Sequence, residues 1–301
     1  MKKVVYDENA EKFWGDRGEA FMTLIMNLLL RSRLNSDDRS RLLFLGMDYF
    51  KQAFTSRSAD PETNYECFEQ IGDMFVNTFI VNYTYKRFPQ LETPAGVQVV
   101  ARVRIKYGSR ENLFQIGDAL GLWPFISASV EQRHDNRKSL IEDVFEAIMG
   151  AIGRAIDDFF LPNRSGYRFV YNILESIFDE RPMSLKYIDL CDKISILKET
   201  FDYFKDSLGK QKKEYSYDEE TQLCTCRLYR VIGSTTAFMG QGLAARQPDA
   251  EQRAAGEALT HLHRAGFRKP EPPVFELMNN ADPRAHVKPY MVKFFRLTTL
   301  D

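Results

Sequence analysis

Acidic residues recur at helical spacing in two stretches whose other positions are largely apolar. In NYECFEQIGDMFVN, Glu66, Glu69 and Asp73 are separated by three and then four residues, which in a helix places all three on one face. In SLIEDVFEAIMGAI, Asp143 and Glu146 share one face of a second helix. An ionised carboxylate buried without a partner is costly, so such groups persist only if paired, solvated in a cleft or neutralised by a cation. A hard divalent ion such as Mg²⁺, with Mn²⁺ as a substitute, prefers oxygen ligands and keeps several waters. That suits four carboxylates converging from two helices. In phosphodiester hydrolysis such ions generate a hydroxide nucleophile and stabilise the leaving oxygen. On spacing alone the plainer reading, a charged and solvated helix face, is the better one. The apolar surroundings count against it.

These carboxylates need elements to hold them. Apolar residues recur with helical period over Arg17 to Leu34 and again over Leu42 to Phe54. Phe68 to Tyr85 is apolar almost all round, as expected of a helix in the middle of a bundle. Gly96 to Tyr107, Arg110 to Leu120, Ser139 to Phe160 and Tyr167 to Phe178 read as further helices. Pro61, Pro89, Pro94, Pro124 and Pro162 fall between the helical stretches. The expectation is an all-α domain over residues 1–180, a linker over 181–194, a small α+β domain of order α-β-β-β-α over 195–267, and a tail over 268–301. In the second domain, Ser195 to Asp206 is the first helix, Glu214 to Glu220, Leu223 to Val231 and Thr235 to Gly240 are the strands, and Asp249 to Arg264 is the last helix.

Composition bounds the partners. The 41 Lys and Arg nearly cancel the 42 Asp and Glu, so the net charge of −1 announces no polyanion and any nucleic-acid contact must rest on local features. Cys67, Cys191, Cys224 and Cys226 have neither CxxC spacing nor nearby histidines, which argues against a zinc site or a disulfide framework. Cys224 and Cys226, two apart on a strand, read as packing thiols, and His134, His261, His263 and His286 show no metal or triad spacing. The opening residues lack the apolar stretch of a signal peptide, and no run approaches the ~20 apolar residues of a membrane span. An intracellular, cytoplasmic setting is expected, with the nucleus left open.

The segment YECFEQIGD (Tyr65 to Asp73) resembles the signature of the ribonuclease III family, approximately E-R-L-E-F-L-G-D. AFTSRS (Ala53 to Ser58) is similar to the family's A-F-T-H-[KR]-S, and DVFEAIMG (Asp143 to Gly150) to its D-x-x-E-A-L-I-G. RFPQL at Arg87 to Leu91 is nearest to forms encoded by large DNA viruses. The resemblance implies a helical endonuclease domain that hydrolyses double-stranded RNA with metal-activated water, leaving 5′-phosphate and 3′-hydroxyl ends. It implies that Glu69, Asp73, Asp143 and Glu146 are the metal-binding carboxylates, with Asp73 and Glu146 central to catalysis. Glu66 matches the first signature Glu, and Asn77 and Lys138 take supporting places. Lys138 is equally readable as a surface lysine, and Asn77 as an ordinary buried amide. Gly72 permits close helix packing.

The family works as a dimer in which two nuclease domains form one valley for the duplex. Here Gln70 stands where an aromatic dimer contact is usual, and Ser56 replaces the His of the AFTHxS element. A homodimer is the expectation, with a heterodimer as the alternative. Residues from Lys198 through AEQRAAGEALTHL resemble a double-stranded RNA-binding domain. Gln247 and Pro248 occupy the positions of the usual Lys pair at its last helix, and DEETQ (Asp218 to Gln222) replaces the usual G-P-x-H turn. Arg246 and Arg253 are then the nearest cations for RNA phosphates, and a shift toward protein contact is the competing reading. For the whole chain the competing reading is a catalytically silent RNA-binding or scaffold protein on the same fold.

Overall fold

The computed structural model describes residues 11–160 and 165–279. It divides into two compact units with the boundary at Met183/Ser184. In the first, the elements run β1 (Lys12–Phe13), α1 (Glu19–Arg31), α2 (Ser36–Leu45), α3 (Met47–Ala53), α4 (Glu66–Arg87), α5 (Gly96–Tyr107), α6 (Arg110–Ala119), β2 (Ala128–Ser129), α7 (Val130–Asp135), α8 (Arg137–Phe159) and α9 (Gly166–Asp179). Pro162 lies outside the described residues. No described helix is long and apolar enough to cross a membrane.

The helix surrounded by others is α8, not α4. Leu140, Ile141, Val144, Phe145, Ala147, Ile148, Ala151, Ile152, Ala155 and Ile156 are all buried on it, and it packs against α3, α4, α6 and α9. The α4 helix buries a single stripe, Phe68, Gly72, Val76, Phe79, Ile80 and Tyr83, and leaves Met74 64% exposed. Its apolar run is therefore wider than the face it buries.

Two glycines set how closely α4 and α8 approach. A Cβ on Gly72 would lie 1.8 Å from the Glu146 carbonyl oxygen, and one on Gly150 would lie 2.0 Å from that of Phe68. Backbone meets backbone at this crossing, as only glycine allows.

A second departure from the sequence expectation is at Gly46, which divides Leu42 to Phe54 between α2 and α3. A side chain there would collide with the Phe50 ring at 2.7 Å. The AFTSRS segment follows α3 and is structural. Ser56 is 1% exposed, its amide donates to the Ser127 carbonyl at 2.8 Å, and its hydroxyl donates to Gln132 at 2.6 Å. Arg17 binds the same layer, donating to the Phe54 carbonyl at 3.2 Å and to Ser127 Oγ at 3.1 Å.

The second unit contains α10 (Tyr187–Leu190), α11 (Lys193–Tyr203), α12 (Lys205–Leu208), the antiparallel sheet β3 (Lys210–Asp218), β4 (Leu223–Ile232), β5 (Thr235–Ala244), then α13 (Gln247–Arg264) and α14 (Pro273–Asn279). The sheet order is β3-β4-β5. Cys224, Cys226 and Leu228 point from β4 into a core with Leu197, Phe201, Ala250, Ala254, Ala258 and Leu262. The small residues of α13 let it lie on the sheet, where a Cβ on Gly242 would sit 2.2 Å from the Ala250 carbonyl. The first strand begins at Lys210, ahead of the expected Glu214, because its lysines stand on a sheet edge where charge is tolerated.

The stretch read as a linker, 181–194, is part of this unit from Ser184 onward. Leu185, Tyr187, Leu190 and Cys191 are buried, and the Tyr187 ring meets Phe275 with centroids 5.2 Å apart. That contact also draws the start of the expected tail into the unit. The tail from 280 on lies outside the described residues.

Candidate active site

The α4–α8 crossing brings the two acidic faces together. Glu66, Glu69, Gln70 and Asp73 from α4, Glu142 and Glu146 from α8, and Gly108 from the α5–α6 turn line one cavity of about 600 Å³. Glu146 is 6% exposed and Glu142 9%, whereas Asp73 and Glu66 face solvent and Glu69 is half-buried. Asp143 is held beside the cavity by the Tyr65 hydroxyl, which donates to Oδ2 at 2.8 Å. Asn77 donates to Asp73 Oδ1 at 2.7 Å and accepts from Arg104 at 3.3 Å. Arg110 Nε donates to Glu142 Oε2 at 2.5 Å, and Arg57 lies 3.5 Å from Glu66.

The cluster holds more negative charge than its cations neutralise. Among the described residues, neither Glu69 nor Glu146 has a hydrogen bond or ion pair through its side chain. Burial pushes the Glu146 carboxyl up to about 9, and the charges of Asp73, Glu142, Glu69 and Asp143 push the same way. Glu69 is raised to about 7, by burial first and then by Asp143, Glu142, Glu66 and Asp73. Asp143 is raised to about 6 by burial, against the pull of its Tyr65 hydrogen bond. Asp73 and Glu146 line the same cavity, one from each helix of the crossing.

Among the described residues no group of three or more His, Cys, Asp or Glu is arranged as a ready ligand set for a metal ion. The carboxylates of Glu69, Asp73 and Glu146 line the cavity from both helices. A Mg²⁺-like ion takes one or two of them and completes its shell with water and substrate oxygens. The donor chemistry, all oxygen with unbalanced negative charge, fits such a cation.

The family model for the Ribonuclease III domain matches residues 66–153, which span both acidic helices. The chain is 37% identical over 263 residues to "Putative ribonuclease 3" of Invertebrate iridescent virus 6, covering 83% of this chain and 89% of that one. The chain belongs to the ribonuclease III family. It is also 40% identical over 224 residues to "Putative ribonuclease 3" of Frog virus 3 (isolate Goorha), covering 74% of this chain and 58% of that relative. The solved nuclease domain of ribonuclease III from Campylobacter jejuni aligns with 54% of this chain and 97% of its own, at 21% identity and a TM-score of 0.41.

Among the residues singled out in this ribonuclease III sequence, Glu66, Glu69, Asp73 and Glu146 line the cavity. Asp143 flanks it, and Asn77 binds Asp73. Lys138, exposed on the first turn of α8, is engaged by Glu111 at 2.6 Å and not by the acidic cluster. Arg246 and Arg253 belong to the second unit. Arg246 is 3.7 Å from Asp249, and Arg253 donates to the Leu243 carbonyl at 2.5 Å. Gln70 is exposed at the cavity.

Sequence reasoning missed Glu142, Arg110 and Tyr65. Glu142 had a signal, since it stands four residues before Glu146 and so shares its face. Arg110 and Tyr65 meet their partners from 32 and 78 residues away, and no local spacing marks them.

The raised carboxyls make stability depend on pH in a defined direction. A carboxyl whose folded value lies above its ordinary 4.5 stabilises the fold while protonated, and that stabilisation is lost as pH rises toward 9. The metal-free protein is expected to melt several degrees lower at about pH 9 than at about pH 5. Glu146→Gln should flatten the dependence, and Mg²⁺ should raise the melting temperature most at the alkaline end. Thermal melts across pH with and without Mg²⁺ check this, and a rising Tm over that interval in the metal-free protein contradicts it.

Proposed function

We propose that this chain is a Mg²⁺-dependent endoribonuclease that cuts double-stranded RNA, leaving 5′-phosphate and 3′-hydroxyl ends, with Mn²⁺ able to substitute. The observation that carries this reading is the uncompensated carboxylate cluster. A fold that draws Glu69, Asp73, Asp143 and Glu146 together, at the expense of ionisation at Glu69, Asp143 and Glu146, has a chemical reason to keep them. A cation held there by these carboxylates would supply the missing positive charge, polarise the phosphate and lower the pKa of its bound water.

The remaining work falls to the protein. Tyr65 fixes the Asp143 carboxylate and Asn77 the Asp73 carboxylate, so that neither has to be ordered when substrate arrives. Glu146 must lose its proton to serve as a ligand, and its burial excludes competing solvent. Glu66, at the exposed side and close to Arg57, plays a supporting part. The second unit, with the α-β-β-β-α order of a double-stranded RNA-binding domain, adds weak duplex affinity through Arg246 and Arg253. A second copy of the chain supplies the other half of the valley, each half cutting one strand.

The test is incubation of the purified chain with labelled long duplex RNA at low salt over a range of Mg²⁺ and Mn²⁺ concentrations. Metal-dependent cleavage is expected. Retention of RNA binding with no cleavage at any concentration favours the silent RNA-binding reading. Sizing in solution separates a self-dimer from a chain that needs a different partner.

A further inference from the structure

We propose that Arg110 is a substrate-contacting residue, its guanidinium clamped by Glu142 so that its free edge receives a phosphate of the RNA strand being cut. The proposal rests on the endoribonuclease reading above. Arg110 opens α6 and its side chain is 58% exposed, while the carboxylate that holds it is only 12% exposed. The pair is therefore asymmetric: a buried anchor and a cation presented at the surface. Only Nε is engaged, by Glu142 Oε2 at 2.5 Å. Among the described residues the two terminal nitrogens have no hydrogen-bond partner, which leaves a planar fork of donors matched to two phosphate oxygens.

Its position gives that fork a task. Glu142 lines the acidic cavity, and Arg110 lies within the electrostatic reach of Glu142, Asp143 and Glu146. A phosphodiester approaching these carboxylates is repelled by them, and a fixed cation beside the cavity offsets that repulsion where the strand must come closest. Two cations nearby are committed elsewhere: Lys138 to Glu111 and Arg137 to Asp118, both at 2.6 Å. Arg104, on the other side of the same turn, is tied through Asn77 to Asp73. The competing role for Arg110 is simple neutralisation of Glu142. The two roles predict different behaviour when the pair is removed together.

The experiment compares Arg110→Gln, Arg110→Lys and the double variant Glu142→Gln/Arg110→Gln with the full-length wild-type chain. For duplex cleavage, kcat/KM is expected to fall roughly ten- to hundredfold in Arg110→Gln, the size of a lost charge-assisted hydrogen bond. Arg110→Lys should recover little, because one ammonium cannot hold Glu142 and present a fork at once. The double variant removes the buried charge along with its partner, so folding is protected, and it should remain as impaired as Arg110→Gln.

Duplex binding is measured in parallel in a Glu146→Gln background, where cleavage is silenced. There, Arg110→Gln should reduce the slope of log affinity against log salt by about 1. Wild-type kcat/KM in Arg110→Gln, its recovery in the double variant, or an unchanged salt slope would each overturn the proposal. A wild-type chain that cuts nothing overturns the endoribonuclease reading instead, and the salt slope still decides the role of Arg110.

Discussion

Glu146→Gln is expected to reduce duplex RNA cleavage by about a thousandfold or more at saturating Mg²⁺ while leaving the protein folded. The substitution keeps the shape of the side chain and removes only its capacity to carry charge. Glu146 is 6% exposed and four other acidic groups oppose its ionisation. Neutralising it should therefore stabilise the metal-free protein at alkaline pH as it disables the site. Gain of stability with loss of turnover is the pattern of a residue kept for chemistry. Glu66→Ala provides the contrast, since Glu66 is exposed and near Arg57, and its effect on kcat/KM should stay below about tenfold. Single-turnover cleavage and thermal melts on both variants measure this. Wild-type turnover in Glu146→Gln would remove the acidic cavity from consideration as the active site.

The second large effect is expected at Gly72. An added methyl there would meet the Glu146 carbonyl oxygen at 1.8 Å and its carbon at 2.5 Å. Those atoms belong to the middle of a buried helix and cannot swing aside, so α4 and α8 must separate. Gly72→Ala is expected to destabilise the protein by about 3 kcal/mol, at the upper end of overpacking effects, and to abolish cleavage in whatever fraction stays folded. The same exchange at Gly256 is the control. There the new methyl meets the outer atoms of the Lys193 side chain, the nearest at 3.0 Å. Gly256→Ala within α13 should be neutral or stabilising by up to about 1 kcal/mol, from reduced backbone freedom in the unfolded chain. Denaturant unfolding of the two variants reads the difference directly, and equal midpoints would mean the crossing is looser than its geometry states.

How far the site could be read from sequence follows from how far apart its parts lie in the chain. The spacing of Glu66, Glu69 and Asp73, and of Asp143 and Glu146, carries the facing of each group because a helix repeats every 3.6 residues. Gly72 is legible as a close-packing position for the same reason. Glu142 was hidden by its neighbour: in an Ile-Glu-Asp run both acidic residues pair with Glu146, at four and three residues' separation, so Asp143 masks the signal from Glu142. The clamp from Arg110 and the Tyr65 bond to Asp143 depend on tertiary packing, which no window of sequence contains. The two-residue β1–β2 pair is invisible for this reason too, since Lys12 meets Ser129. The α4 helix shows the opposite failure, an apolar run that overstates its burial because Met74 points outward.

The paired glycines at the crossing also act as a calliper. With no side chain between the two helices at Gly72 and Gly150, the gap across the acidic cluster is set by the thickness of two peptide backbones, a dimension that substitutions elsewhere in the core cannot adjust. Variation at the site must then arise around the opening, on segments such as the turn that carries Gly108, while the span between the two acidic faces stays constant.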